Sequence, residues 1–281
     1  MSNFSKNIEE IRFNKNIRYT RSGKIRIDCV NKNKFLPIFL WSVLILTIVS
    51  FIPLDIPWLK LFSRFGDLGL IFWKLAHFDF SKIDLIAHTM METISITVLS
   101  TIYSIFAGIF FAMLACETVF KQKWLSVFIK SFFTFLRAVP TPIWVLLMMV
   151  CLGMGCSAGI AGLCIHTTAF FVRAFVQSFE SIPEETIEAL EATGIGRIGV
   201  FLNAVFPSSL SKVVAWTGMR FEINFGECTS LGMVGAGGIG FVISNNIEGY
   251  NYGTAGLAIF LVFVFAFIIE RLFVLIKGKI N

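Results

Sequence analysis

Long apolar blocks constrain this chain more than any other feature. The first block, Phe35–Pro53, contains no charged residue and approaches the roughly 20 residues that a helix needs to cross a membrane. Over the whole chain, 56% of the residues are apolar and 15% are charged. A soluble domain carries about 25% charged residues, so this chain cannot cover a water-facing surface. The pattern predicts an all-α polytopic membrane protein and excludes a soluble enzyme, a disordered chain and a secreted disulfide scaffold.

The apolar blocks predict six membrane spans separated by polar segments. The spans cover residues 35–53, about 86–116, about 124–152, about 160–179, 208–234 and about 254–276. Between the first two spans, residues 54–85 mix four acids with four bases and are expected to form an external loop with room for a short surface helix. We therefore divide the chain into a tail (1–34), a first span with its loop (35–85) and a main transmembrane domain (86–281).

The distribution of basic residues predicts the orientation. Residues 1–34 hold nine lysines and arginines against three acids, and cytoplasmic segments next to a span are rich in such residues. An even number of spans then places both termini in the cytoplasm. A nucleic-acid-binding arm is the weaker alternative for this tail. We expect no cleavable signal peptide, because the apolar block after the tail is too long and lacks a small-residue cleavage site.

The polar segment 180–207 lies between two spans and carries helix signals. Ser181 and Glu184 fit a capping box, and Gly194 suits the left-handed turn that ends a helix. Pro207 is expected to limit a second helix. The segment therefore predicts two short helices joined by a glycine turn on the cytoplasmic face. An ordinary solvated loop is the plain alternative, and a DNA-binding helix-turn-helix is disfavoured because the first helix is acidic.

This segment also resembles the E-A-A-x3-G-x9-I-x-L-P loop of ABC-importer permeases, which docks on the ATP-binding subunit. The matching residues are Glu188, Ala189, Gly194 and Pro207, with apolar residues at the remaining apolar positions. Further segments are similar to the phosphonate ABC-transporter permease family. They are Met91–Thr93, Arg137–Trp144, Ile165–Thr167, Glu191–Gly194, Arg220–Asn224 and Leu231–Gly240.

The resemblance implies a type I ABC-importer permease fold in a bacterial plasma (inner) membrane. It implies a permease subunit that moves a phosphonate, or a phosphite- or phosphate-like oxyanion, and works as a homodimer with two ABC ATPase subunits and an extracytoplasmic solute-binding protein. No P-loop motif occurs in the chain, so ATP–Mg is expected on the partner, with no catalytic residue, cofactor, metal or nucleic acid here. A permease for another small solute, or a non-transporting scaffold or sensor, is the alternative.

Charged residues inside spans are costly and usually face a cavity or a partner. Arg220, Asn224 and Glu227 are four and then three residues apart, so they share one helical face. They form either an internal Arg–Glu pair bridged by Asn224, or a polar stripe on the translocation path that offers Arg220 to an oxyanion. Arg137 is expected to face the same cavity or to pair with Glu92. We assign no role to His166.

A glycine run follows the fifth span. Its glycines, Gly235, Gly237, Gly238 and Gly240, formally satisfy G-x-G-x-x-G, but a dinucleotide site would need a preceding strand and an acid about 20 residues further on. We instead predict a close-packed, non-helical turn near the external membrane face, followed by residues 241–246, which are too few and too polar for a good helix. The six cysteines are scattered and predict no metal or disulfide site.

Overall fold

The computed structural model describes residues 18–19, 25–26, 35–54 and 57–280, and its contacts divide the chain into two units, 1–65 and 66–281. The elements of the first unit before residue 55 are two short strands, a helix and a 3-10 turn. They are β1 (Arg18–Tyr19), β2 (Ile25–Arg26), α1 (Phe35–Phe51) and the turn Ile52–Leu54. The strands pair antiparallel. The predicted tail 1–34 otherwise lies outside the described residues.

Helices make up most of the chain from residue 58 onward. They are α2 (Trp58–Ala76), α3 (Ile83–Ala115), α4 (Glu117–Phe120), α5 (Lys123–Ala138), α6 (Thr141–Leu152), α7 (Cys156–Glu180), α8 (Glu184–Glu191), α9 (Arg197–Val200), α10 (Phe206–Leu231), α11 (Ile239–Glu248) and α12 (Tyr252–Ile280). Wider π-helical turns, Phe201–Val205 and Gly232–Ala236, lie before and after α10. Helix α2 lies within residues 54–85, where the sequence left room for a short surface helix, and it is 19 residues long.

Five of the described helical segments are long and apolar enough to cross a membrane, or six if one bent pair counts as a span. The five are Phe35–Leu54, Ile83–Ala115, Cys156–Glu180, Arg197–Ala236 and Tyr252–Ile276. The all-α polytopic prediction is confirmed, and the positions of the spans agree with the apolar blocks to within a few residues, except that the fifth begins earlier.

The predicted third span, residues 124–152, is not one straight helix. Helices α5 and α6 meet at an angle of 87°. Pro140 disfavours a helical conformation at the residue before it, and Val139 is extended, with ψ 124°. Pro142 then lies in the first turn of α6, where its missing N–H is tolerated. The predicted third span is therefore present as a bent pair of helices, because the apolar content continues across a break that the prolines impose.

Small residues let the helices of the second unit approach closely. Helix α7 packs between α3 and α6: a Cβ at Gly108 would lie 2.7 Å from Phe171 Cβ, and one at Gly162 would lie 2.6 Å from Val145 Cα. Between helices in lipid, close packing replaces the hydrophobic driving force, and small residues permit it. The core continues toward α8 and α10 through stacked phenylalanines, with Phe171 and Phe175 ring centroids 4.9 Å apart.

Candidate functional site

Arg220 lies in the middle of α10, and its side chain is only 4% exposed. Its Nη2 lies 3.0 Å from Glu227 Oε2 on the same helix, and Glu227 is 27% exposed. Nη2 also donates to Nδ1 of His166 on α7 at 3.0 Å, and Nε and Nη2 both lie 3.4 Å from Thr167 Oγ1. Because arginine can only donate, the neutral His166 ring carries its proton on Nε2. The guanidinium is therefore held from two helices beside one partly exposed carboxylate.

Asn224, one turn along α10, is fully buried and does not bridge Arg220 to Glu227 as the sequence suggested. Its Oδ1 accepts from Thr167 Oγ1 at 2.9 Å, and its Nδ2 donates to Thr101 Oγ1 on α3 at 3.0 Å. The bridging prediction is wrong because the pair closes directly, seven residues apart, and leaves the amide free to join α3, α7 and α10. A directional series of hydrogen bonds thus runs from Arg220 through Thr167 and Asn224 to Thr101.

Arg137, at the end of α5, lies near this cluster but does not pair with Glu92. Its Cζ lies 5.5 Å from the Phe170 ring centroid, the same distance as the Cζ of Arg220. Phe170 therefore forms cation–π contacts with both arginines. Glu92 instead lies 3.4 Å from His88 Nδ1. We call Arg137, His166, Phe170, Arg220 and Glu227 the arginine cluster.

The sequence did not single out several of these partners. His166 and Thr167 lie in the segment Ile165–Thr167, which resembles the permease family. That resemblance was the sequence signal that pointed to them. Phe170 carried none, because it is one of 32 phenylalanines. Thr101 lies in a helix whose buried hydroxyls mostly bond their own backbone, so its cross-helix partner could not be read from spacing.

The glycine run forms the predicted non-helical turn. Gly235, Gly237 and Gly238 have φ of 107°, 81° and 77°, which residues with a Cβ rarely adopt. A Cβ at Gly238 would also overlap Thr93 Oγ1, and one at Gly240 would overlap the carbonyl oxygen of Thr229. The close-packed turn is confirmed; its position relative to the membrane remains a prediction.

Helix α11 follows this turn directly, so the expectation of no helix over 241–246 was wrong. Its first backbone N–H groups bond to side chains of α3: Gly238 N donates to Glu92 Oε2 at 3.3 Å, and Ile239 N donates to Thr93 Oγ1 at 2.8 Å. These caps come from a helix almost 150 residues away in sequence. Local composition therefore could not reveal them.

The 180–207 loop contains the predicted first helix and glycine turn. Glu188 and Ala189 are exposed on α8, and Gly194 has a φ of 81° in open space. The capping box is absent, since the Ser181 hydroxyl donates to Ser178 O and α8 begins after Pro183 with no side-chain cap. The side chains of Ile187 and Leu190 pack against the phenylalanine core, which fixes the orientation of α8.

Pro207 does not limit the second helix of the loop. The helical backbone continues from Arg197 through the π-helical turn into α10, and Pro207 lies in the first turn of α10. Phe206 N donates to Phe201 O, five residues back. Because the wider turn rearranges the backbone hydrogen bonds just before the proline, its missing N–H does not end the helix.

Charged contacts attach the loop to the α4 turn. Lys121 Nζ lies 3.0 Å from Glu191 Oε2, and Arg197 Nη1 donates to Phe120 O at 3.1 Å. Next to this turn, Lys130 Nζ lies 3.0 Å from Glu117 Oε1 and 2.9 Å from Glu180 Oε1. The side-chain hydrogen bond from Lys130 is the main cause that lowers the pKa of Glu117. Both halves of the loop are thus tied to one short turn.

The chain is similar to several curated permease proteins. It is 30% identical to the phosphate-import permease protein PhnE of Mycolicibacterium smegmatis, over 83% of this chain and 44% of that protein. It is 30% identical to the putative phosphite transport system permease protein HtxE of Stutzerimonas stutzeri, over 52% of this chain and 56% of that protein. The chain thus spans about half the length of these two relatives. The predicted resemblance to permeases of this group is confirmed.

Solved structures show the same fold. The inward-facing MetNI methionine ABC transporter in its CY5 native crystal form matches with a TM-score of 0.65 at 20% identity, over 72% of this chain and 99% of that chain. An amino acid ABC transporter solved with histidines matches with a TM-score of 0.60 at 17% identity, over 72% of this chain and 98% of that chain. These likenesses confirm the type I ABC-importer permease fold.

The sequence model of one protein family matches residues 104–280, well over half of the chain, in agreement with the similar permeases and the similar solved structures. The chain belongs to the family of binding-protein-dependent transport system inner membrane components.

Proposed function

We propose that this chain is the membrane-spanning permease subunit of an ABC importer that carries a phosphonate, or a phosphite- or phosphate-like oxyanion. The names of its relatives support this cargo class, because they are permeases for phosphate, phosphite and phosphonate. The observation that carries the proposal is the buried Arg220, paired with a partly exposed Glu227 and close to a second arginine, Arg137.

The chemistry of the arginine cluster suits an anion that binds only transiently during transport. A guanidinium donates two parallel hydrogen bonds to a tetrahedral oxyanion, and its attraction is strong where water is scarce. Glu227 competes with the cargo for the same donor. An arriving oxyanion must displace this carboxylate, which weakens net binding and permits release. Thr167 accepts from the guanidinium and donates to Asn224, so it helps to hold the guanidinium in place.

The proposed complex contains a second permease copy, two ABC ATPase subunits, an extracytoplasmic solute-binding protein and the surrounding bilayer. ATP–Mg would bind to the ATPase subunits, and this chain would need no cofactor, metal or nucleic acid of its own. Closure of the ATPases would move the 180–207 loops and change the access of the cavity. Two apolar side chains that follow Gly194 in the loop, Ile198 and Leu202, are 59% and 57% exposed. They support docking of the ATPase subunit on this part of the loop.

The orientation belongs to the same proposal: both termini and the 180–207 loop face the cytoplasm. Single cysteines in place of Ser2 and Thr186 should react with a membrane-impermeant maleimide only after sealed cells are opened. Labelling of either position in sealed cells contradicts the proposed orientation.

Uptake into proteoliposomes tests the cargo. The chain, together with the ABC ATPase and binding protein of its source, should import at least one of methylphosphonate, phosphite and phosphate when ATP is present, and should not import methionine. Import of methionine alone would replace the oxyanion assignment with a different solute. Failure of the chain to associate with any ABC ATPase would favour a scaffold or sensor.

A further inference from the structure

A cleft of about 660 Å³ opens between α5 and α7, on the side of the arginine cluster that leads to the 180–207 loop. Its polar lining comes from seven side chains on these two helices and the residue that follows α7. They are Lys130, Thr134, Arg137, Arg173, Gln177, Glu180 and Ser181. A volume of this size is in the range of small-molecule sites.

The polar residues of the cleft continue one face of α7 that begins at the arginine cluster. Phe170, Arg173, Gln177 and Ser181 are three, four and four residues apart, so they lie on the same side of the helix. At 1.5 Å per residue, the stripe from Phe170 to Ser181 is about 17 Å long. It therefore connects the ring that contacts Arg220 with the start of the loop.

The two ends of the cleft differ in charge. At the loop end, Lys130 lies between two carboxylates, Glu117 and Glu180, at 3.0 and 2.9 Å, so these three groups carry one net negative charge. Further in, neither Arg137 nor Arg173 has an ion-pair partner among the described residues. Unpaired charges within spans are costly and usually line an ion pathway or a substrate pathway. Both arginines are exposed in this chain, and Glu180, the carboxylate that lines the cleft, is already paired with Lys130, so the charges of Arg137 and Arg173 are not balanced there.

We propose that Arg137, Arg173 and Gln177 form a second oxyanion subsite, which receives the cargo after it leaves Arg220 and before it reaches the 180–207 loop. This inference rests on the proposed oxyanion cargo. The two guanidinium groups supply hydrogen-bond donors in the fork geometry that oxyanions prefer, and the Gln177 amide adds a neutral donor. Unlike Arg220, neither arginine of this subsite is ion-paired to a carboxylate, because Glu180, which also lines the cleft, is held by Lys130. The anion is therefore attracted by charge here and released toward water.

An anionic lipid headgroup carries the same phosphate chemistry and could reach an open cleft. The structure favours a soluble anion, because the face of α7 that carries Arg173 and Gln177 begins at Phe170 of the arginine cluster. The experiment separates the two sources.

Cysteine protection tests the subsite without transport. Thr134 lines the cleft and its hydroxyl bonds only its own helix, at Lys130 O, so Thr134→Cys leaves the three subsite residues intact. The native cysteines of the chain are replaced by alanine, and the chain is assembled with its ATPase in phosphatidylcholine nanodiscs. The introduced thiol should react about tenfold faster with an anionic than with a cationic methanethiosulfonate, because the local field concentrates anions. Methylphosphonate at about 10 mM should slow the reaction of the anionic reagent several-fold, because the cargo binds at the same positively charged site.

Arg173→Gln should remove both the charge preference and the protection, whereas Arg173→Lys should keep the preference. The matched control is Arg271→Gln on α12, an exposed arginine that contacts Phe267 and does not line the cleft. It should change neither quantity.

Three results overturn the subsite: equal reaction with both reagents, charge preference without protection by methylphosphonate, phosphite or phosphate, and protection only when phosphatidylglycerol is added to the nanodisc. The last result identifies a lipid site. A failure here is distinct from failure of the proposed function, because the uptake assay reports the cargo independently of where it binds. Uptake of an oxyanion with no protection at position 134 removes only the subsite.

Discussion

The arginine cluster and the 180–207 loop differ in how their side chains are partnered. In the cluster and its surroundings, Arg220, Glu227, Asn224 and the threonines around them find all their partners within the chain. No buried side-chain nitrogen or oxygen among the described residues lacks a hydrogen-bond partner. The loop leaves the apolar side chains of Ile198 and Leu202 exposed. The buried polar groups are paired within the chain, whereas the loop presents a surface that an additional protein could cover.

This difference predicts which changes damage folding and which damage coupling. Interior changes leave polar groups without partners in a dry environment, so they should lower the amount of folded protein. Loop changes should spare insertion and act on assembly or transport. Three substitutions test this division, from the largest expected effect to the smallest.

Gly194→Val should have the largest effect. A β-branched residue at a φ of 81° is strained, although no atom lies within 4 Å of the position where its Cβ would be. The strain, about 1–3 kcal/mol, should shift the loop between α8 and α9. Uptake should fall at least tenfold while the chain still inserts.

Gly196→Val is the matched control. This glycine also has open space around it, but its φ is −69°, which valine adopts readily. Uptake and ATPase association should stay near the unmodified level. Equal loss in both variants would mean that side-chain bulk, and not backbone conformation, disrupts the loop.

Asn224→Leu should have an intermediate effect on stability. The substitution keeps a side chain branched at Cγ but replaces the amide with methyl groups, so the hydroxyls of Thr167 and Thr101 lose their buried partner, at a cost of about 1–3 kcal/mol. The melting temperature in detergent should fall by several degrees. Asn203→Leu, in the exposed part of the loop, should change it far less, because Asn203 bonds only its own helix at Gly199 O. Equal shifts would contradict the division between interior and loop.

Lys121→Ala should have the smallest effect. Its ion pair with Glu191 is solvent-exposed, and such pairs contribute about 0–1 kcal/mol. Thermal stability should change within that range, and raising the salt concentration should abolish even this difference. A loss of uptake as large as that of Gly194→Val would show that the pair, and not the glycine turn, determines coupling.

The spans and the turns were predictable from sequence because their signals are local. Phe35–Pro53 is apolar along its whole length, and Gly194, Gly237 and Gly238 adopt the positive φ that glycine favours. The break between α5 and α6 was also encoded, in Pro140 and Pro142, but the apolar content around it concealed the signal.

The rest depended on contacts between distant segments. Spacing placed Arg220, Asn224 and Glu227 on one face of α10, and Arg220 and Glu227 do pair there. The remaining partners of Arg220 and Asn224 come from α7 and α3. The caps of α11 likewise come from Glu92 and Thr93. Helical periodicity indicates which residues share a face, but not which side chains of other helices lie opposite.

The central claim is that the charge of Arg220 attracts the cargo, and uptake by charge-matched variants tests it most directly. Arg220→Gln alone leaves Glu227 without its partner, a defect of about 3–5 kcal/mol where such a pair is buried, so this variant is expected to accumulate poorly. Arg220→Gln/Glu227→Gln removes both charges and should restore accumulation. We predict that the double variant inserts and associates with the ATPase normally but imports the oxyanion at least tenfold more slowly. Full uptake by the double variant would contradict the claim and make Arg220 a structural residue.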